Sequence, residues 1–209
     1  MRWIPGALAT SVGCSEHSST PTSILVRPSH ARLSIAHGPE ISLLGNPALL
    51  EQPLIGLLCS RRVPAPLEEH ALAWARSARD LRFPVVGGFL APVERRCLEI
   101  LLEGRQPVVV CLARGLAATR IAVRWRAPLE RGRLLLATPF ADDVVRLSAA
   151  GAELRNRVVA TLARQLVVPH ATPGGQLIRL VREVVAAGKT VHSFDHPANV
   201  ALLRVGARF

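Results

Sequence analysis

Apolar residues in this chain alternate between short uninterrupted runs and stretches where they recur every three or four positions. The runs at residues 54–59, 85–86, 107–112, 133–137, 165–168 and 190–194 are of strand length and apolar on both faces. Between them, residues 68–81 place Leu72, Ala75, Ala78 and Leu81 at helical spacing. A second helix starts at Pro92 and runs to about Leu102, with proline in the first turn and Glu94 near its positive end. Residues 152–163 and 177–187 form further helices, the last closed by Gly188. Buried strands that alternate with amphipathic helices predict an α/β fold, a three-layer αβα arrangement with a mainly parallel sheet.

The pattern also sets the domain boundary. Residues 14–30 are rich in Ser, Thr, Pro and His, with little to bury, so 1–40 is expected to be a poorly ordered or loosely docked leader. Residues 41–209 form the folded domain, opened by the turn Gly45-Asn46-Pro47. Residues 1–12 hold too short an apolar run for a signal peptide, and no stretch reaches spanning length without charge, so no membrane contact is expected. Cys14, Cys59, Cys97 and Cys111 lie far apart without metal-ligand spacing, and the seven histidines form no ligand pattern. The expectation is a reduced, cytoplasmic protein with no metal and no cofactor.

Charge then points to a partner. Net charge is +11, and of the 26 basic residues only Lys189 is lysine. A basic domain of this kind suits a polyanion, most often nucleic acid. Coding bias toward arginine and alanine gives the same composition, so charge permits a nucleic acid without establishing one.

Parallel sheets bind ligands at the carboxyl ends of their strands, beside helix N-termini. The residues that follow the runs are Ser60-Arg61-Arg62, Gly87-Gly88, Arg114-Gly115, Thr138-Pro139-Phe140 and Ala171-Thr172-Pro173-Gly174-Gly175. Small, hydroxyl or basic residues occur at all five, as phosphate binding requires. The triplet Arg155-Asn156-Arg157 adds two guanidinium forks, each able to grip phosphate oxygens bidentately.

In order along the chain, these pieces resemble the DNA-processing protein A (Smf) family. The resemblance rests on Leu44-Gly45-Asn46-Pro47-Ala48-Leu49-Leu50 before the first strand, Cys59-Ser60-Arg61 at its end, and Gly87-Gly88 after the second. Arg155-Asn156-Arg157-Val158-Val159-Ala160, Pro173-Gly174-Gly175-Gln176-Leu177-Ile178 and residues 199–207 complete it, over about residues 43–207. Two departures stand out: Cys59 replaces a glycine, and Phe89-Leu90-Ala91-Pro92-Val93-Glu94 replaces a glycine-containing loop. The resemblance implies a divergent short member limited to a Rossmann-like core, without catalysis. It implies binding of single-stranded DNA and delivery of a RecA-type recombinase, in natural transformation or repair. A homodimer is expected.

The expected phosphate and nucleic-acid contacts are Ser60, Arg61, Gly87, Gly88, Arg155, Asn156, Arg157, Gly174 and Gly175, with Phe140 as a base-stacking platform. Arg155 and Arg157 stand two apart and cannot share a helix face, so one binds ligand while the other pairs with an acid such as Glu153 or Asp143. Asn156 serves equally as a cap, Gly174-Gly175 as a plain turn, and Phe140 as a core residue. Asp142-Asp143 fits a helix N-cap better than carboxylate catalysis. Two rival readings remain. Pro173-Gly174-Gly175 is similar to the loop of nucleotide-binding phosphoribohydrolases, although Gln176–Leu180 supplies no acid and the first is Glu183. A silent protein-binding scaffold is the other.

Overall fold

The computed structural model describes residues 31–35 and 38–209. Its strands are β1 (Ala31–Ser34), β2 (Glu40–Gly45), β3 (Leu54–Leu57), β4 (Val85–Gly87), β5 (Val108–Cys111), β6 (Leu134–Thr138), β7 (Ala163–Val167) and β8 (Thr190–His192). They form one sheet in the spatial order β1-β2-β6-β5-β4-β3-β7-β8. The six strands from β3 onward pair in parallel wherever they meet, and β2 runs antiparallel to both β1 and β6. In particular β5 is parallel to β4 and to β6, as its proline-led apolar run predicts.

Among the described residues, six α-helices cover the sheet: α1 (Ala65–Ala78), α2 (Pro92–Glu103), α3 (Val123–Glu130), α4 (Ala149–Leu162), α5 (Gln176–Ala186) and α6 (Val200–Arg204). Side chains along each strand point alternately to the two faces, which is why the runs had to be apolar throughout. Val86, Val109, Leu135 and Leu166 pack with Val158, Val159, Leu177 and Leu202 from α4, α5 and α6. Val85, Val108, Leu134 and Val167 pack with Leu72, Trp74, Leu98 and Leu101 from α1 and α2 on the opposite face. The result is the expected αβα sandwich.

From β3 the chain winds outward through β4, β5 and β6, then returns by α4 to β7 on the other side of β3. The direction of winding therefore reverses between β3 and β7. The gap between the loops leaving these two strands is the natural ligand crevice of such a sheet.

Three elements differ from the sequence pattern. β1 falls inside the segment expected as leader, and β2 begins there; every residue of β1 is exposed, so no buried run announces it. The rest of that expectation, residues 1–30 with 36–37, lies outside the described residues, as does Cys14. α3 carries Pro128 with Arg124 and Arg126, and shows little apolar periodicity. α4 starts three residues before the apolar pattern does, because the Ser148 side chain accepts the Gly151 N–H at 2.9 Å and caps it.

Candidate functional site

At the crevice, the β3 and β7 loops are tied together by backbone and hydroxyl. The Ser60 N–H donates to the His170 carbonyl at 3.0 Å, and the Thr172 N–H donates to Ser60 Oγ at 2.9 Å. Ser60 thus serves as the clasp between loops. Arg61 and Arg62 follow it directly, both exposed and neither paired with a carboxylate among the described residues.

The β7 loop closes in a tight turn, with the Gly175 N–H donating to the Thr172 carbonyl at 3.0 Å. Pro173 and a left-handed Gly174 (φ +72°) fill its central positions, the combination a type II turn requires. Gly175 then caps α5 without any side chain to accept the helix's first N–H groups. Those donors, at the positive end of an eleven-residue helix, face the same crevice as the Ser60 loop.

Behind this loop sits a buried polar brace that the sequence reading overlooked. His170 Nδ1 lies 2.9 Å from Asn199 Oδ1, and Asn199 Nδ2 donates to the Pro169 and Phe194 carbonyls at 3.0 Å each. Ser193 Oγ donates to the Val168 carbonyl at 2.9 Å. Buried Asn199 and His170 therefore hold the β7 loop against the C-terminal segment. Polar residues at the ends of two apolar runs were the available signal.

Where the loop after β4 enters α2, the chain supplies its own acceptor for the loop N–H groups. Glu94 is 2% exposed, and its carboxylate accepts N–H groups from Cys59 at 2.8 Å, Leu90 at 3.0 Å and Ala91 at 3.3 Å. Glu94 is therefore an internal acceptor closing two loops, a larger role than a helix-dipole partner. Burial pushes its carboxyl up, while the nearby Arg155 guanidinium and the backbone donors pull it back. Burial, with Glu94 beside it, also pushes the Cys59 thiol up.

The Arg155-Asn156-Arg157 triplet does not form two forks on one anion. Arg155 is 4% exposed, and its Nε and Nη2 donate to Asn156 Oδ1 at 3.1 and 2.7 Å, while Nη1 has no partner among the described residues. Its guanidinium lies directly against Gly88, where any Cβ would overlap it. Arg157 points outward and grips Glu183 with bonds of 2.5 and 3.1 Å, with Glu153 at 3.7 Å. The reason is helical geometry: positions two apart face opposite ways, so α4 sends one arginine into the core and the other to the acids around α5.

The remaining residues are scattered. Gly87 and Gly88 are buried at the end of β4. Phe140 is half-buried after β6, with its ring against Gly151 at the start of α4. Three strand spacings separate β6 from β3, about 14 Å across the sheet, so Phe140 does not line the Ser60 crevice. Asp142 Oδ1 accepts the Ala117 N–H at 3.1 Å and braces a loop. Among the described residues, no group of three His, Cys, Asp or Glu is placed to hold a metal, and no helix is long and apolar enough to cross a membrane.

Comparison with known proteins places this geometry. Among solved structures, the chain is similar to DNA processing protein A from Streptococcus pneumoniae, with a TM-score of 0.67 and 14% identity over 81% of this chain and 62% of that one. It is also similar to DNA processing protein A from Helicobacter pylori, a protein with a single-stranded DNA binding mode of its own. That match has a TM-score of 0.66 and 15% identity, covering 87% of this chain and 91% of the other. The molybdenum cofactor carrier protein of Chlamydomonas reinhardtii shares the fold less closely, at a TM-score of 0.51 and 14% identity over 74% and 86% of the two chains. No curated protein matches the sequence. The model of the family described as DNA recombination-mediator protein A matches residues 28–208, and the chain belongs to that family.

Proposed function

We propose that this chain binds single-stranded DNA, and that the β3–β7 crevice is where the phosphate backbone is held. The observation that carries the reading is the exposed basic pair Arg61-Arg62, unpaired with any carboxylate among the described residues, directly after Ser60, whose hydroxyl accepts the Thr172 N–H in the turn that leads through Gly174 and Gly175 into the uncapped N-terminus of α5. Ser60, Arg61, Gly174 and Gly175 make the contacts. Arg155, Asn156, Gly87 and Gly88 lie beneath them, with the Arg155 charge adding to the field, and Arg157 contributes from the rim. Family membership and the single-stranded DNA binding of the Helicobacter pylori relative support the same choice.

Binding without catalysis fits the loop chemistry. Beyond Gly175 the first acid in sequence is Glu183, whose two oxygens Arg157 holds, and the Glu153 carboxylate beside Gln176 accepts that side-chain amide at 3.1 Å with Arg157 3.7 Å away, so neither stands free for glycosidic hydrolysis. Action as a homodimer in the cytoplasm, with delivery of a RecA-type recombinase in transformation or repair, completes the proposal.

Fluorescence anisotropy with a labelled oligothymidine tests it. Arg61→Ala removes a charge-assisted hydrogen bond worth roughly 1.5–3 kcal/mol, about a tenfold to hundredfold loss of affinity. Arg61→Lys recovers part, since a point charge does not reproduce a planar fork. Arg79, at the far end of α1 and 3.5 Å from Asp80, serves as the control. Equal losses at Arg61 and Arg79 would mean diffuse surface attraction and would remove the crevice from the reading.

A further inference from the structure

A second feature opens at the same edge of the sheet, one strand further out. Between the loops that leave β4 and β5 lies a cavity of about 300 Å³, walled by Phe89, Leu90, Leu112, Trp125 and Leu147. Arg114 and Arg120 also line it. Neither arginine pairs with a carboxylate among the described residues, whereas the adjacent Arg124 is bound to Glu99 at 2.6 Å. Phe89 holds a left-handed backbone (φ +49°), the one such non-glycine residue among those described. Bulky residues adopt that conformation only where the surroundings impose it, and such strain gathers at functional sites.

The size and chemistry of the cavity select its occupant. A volume of about 300 Å³ is at the lower end of the range for ligand pockets, which suits one base with its sugar better than a larger cofactor. The walls are aromatic and aliphatic, as a planar heterocycle needs, and the unpaired cations match the phosphates on either side of it. Gly88 joins the two regions, because it lines this cavity and also covers the Arg155 guanidinium next to the β3 loop.

We propose that this cavity is a base pocket: Trp125 stacks a base of the single strand whose backbone lies along the β3–β7 crevice, while Arg114 and Arg120 hold the flanking phosphates. The proposal rests on the single-stranded DNA reading above. It adds a contact to the base, outside the crevice, through Trp125 and Arg120, neither of which the sequence pattern singles out.

The test compares an oligothymidine with an abasic oligomer of the same length, by anisotropy, on the wild-type chain, Trp125→Ala and Trp125→Phe. The wild type should bind the oligothymidine about 5- to 150-fold more tightly than the abasic strand, the scale of one to a few kcal/mol per stacked base. Trp125→Ala should lose that factor on oligothymidine only, and Trp125→Phe should keep most of it. Equal affinity of the wild type for both strands overturns the base pocket while leaving the backbone crevice intact. Equal losses by Trp125→Ala on both strands overturn it too, since Trp125 then supports the fold. Wild-type protein that binds neither strand sinks the single-stranded DNA reading itself. A fourth arm titrates dTMP against tryptophan fluorescence. Saturation there, without discrimination between the strands, would assign the cavity to free nucleotide and overturn the proposal.

Discussion

Glu94 shows how much one side chain can decide. A carboxylate that satisfies three backbone donors, close to an arginine that is almost fully buried, is expensive to remove. Glu94→Ala leaves three buried N–H groups without their acceptor and removes a countercharge near Arg155, and a loss of about 3–5 kcal/mol is expected by urea denaturation. A loss below about 1 kcal/mol would mean that water enters and replaces the carboxylate. Gly88→Ala acts on the same cluster from the other side. Its Cβ collides with the guanidinium, so overpacking should cost about 1–3 kcal/mol. None of this was legible from the sequence, where an arginine next to a helix start reads as exposed and a glutamate at a first turn reads as a dipole partner. Burial of both follows from the register of α4 against β4, which no local pattern encodes.

Among elements, the parallel strands were legible and the antiparallel pair was not. β3 to β6 are buried along their whole length, and β7 and β8 in part, and so appear as runs, but β1 is exposed along its length and lacks any periodic signal. α3 stayed hidden for a similar reason, since Pro128 and its arginines mask a helix whose Trp125 and Leu129 reach the apolar cluster. Two expectations belong at this scale. Gly174 has nothing within 4 Å of a would-be Cβ, so Gly174→Ala meets only backbone strain, about 1–2 kcal/mol by thermal unfolding. β8 ends at His192, half-buried and close to Arg208, which together lower its imidazole from the usual 6.5. The folded state therefore prefers the neutral ring, and its contribution is present above pH 6.5 and lost as pH falls below it. Melting curves at pH 7.5 and about 5.5 should show this drop, and His192→Gln should lessen it.

For the molecule as a whole, salt dependence separates a site from a charged surface. Contacts to three or four phosphates by Arg61, Arg62 and the α5 N-terminus give a slope of log affinity against log salt of about −2 to −3. Arg61→Ala should make it shallower by about 0.7. A slope two or three times steeper would implicate much of the +11 charge rather than the crevice. The edge where the carboxyl ends of the parallel strands gather was legible in the sequence because it follows from topology. The expected contacts are spread along it because α4 turns Arg157 toward Glu183 at the rim and β6 carries Phe140 away from the β3 loop.

Lys189 offers a last consequence. Its Nζ donates to the carbonyls of Ala160, Thr161 and Ala163 at 2.7–2.8 Å, closing the C-terminal end of α4 where the chain enters β7. Because it is the only lysine in the chain, a lysine-specific protease has a single bond to cut. That bond lies in the tight connection between α5 and β8, with the recognised amine held by the neighbouring helix. Digestion of the native protein thus becomes a gauge of how often this joint opens, with one cut producing two fragments and no background from other sites. Slower cutting in the presence of an oligonucleotide would show that holding DNA at the α5 N-terminus also quiets the far end of that helix.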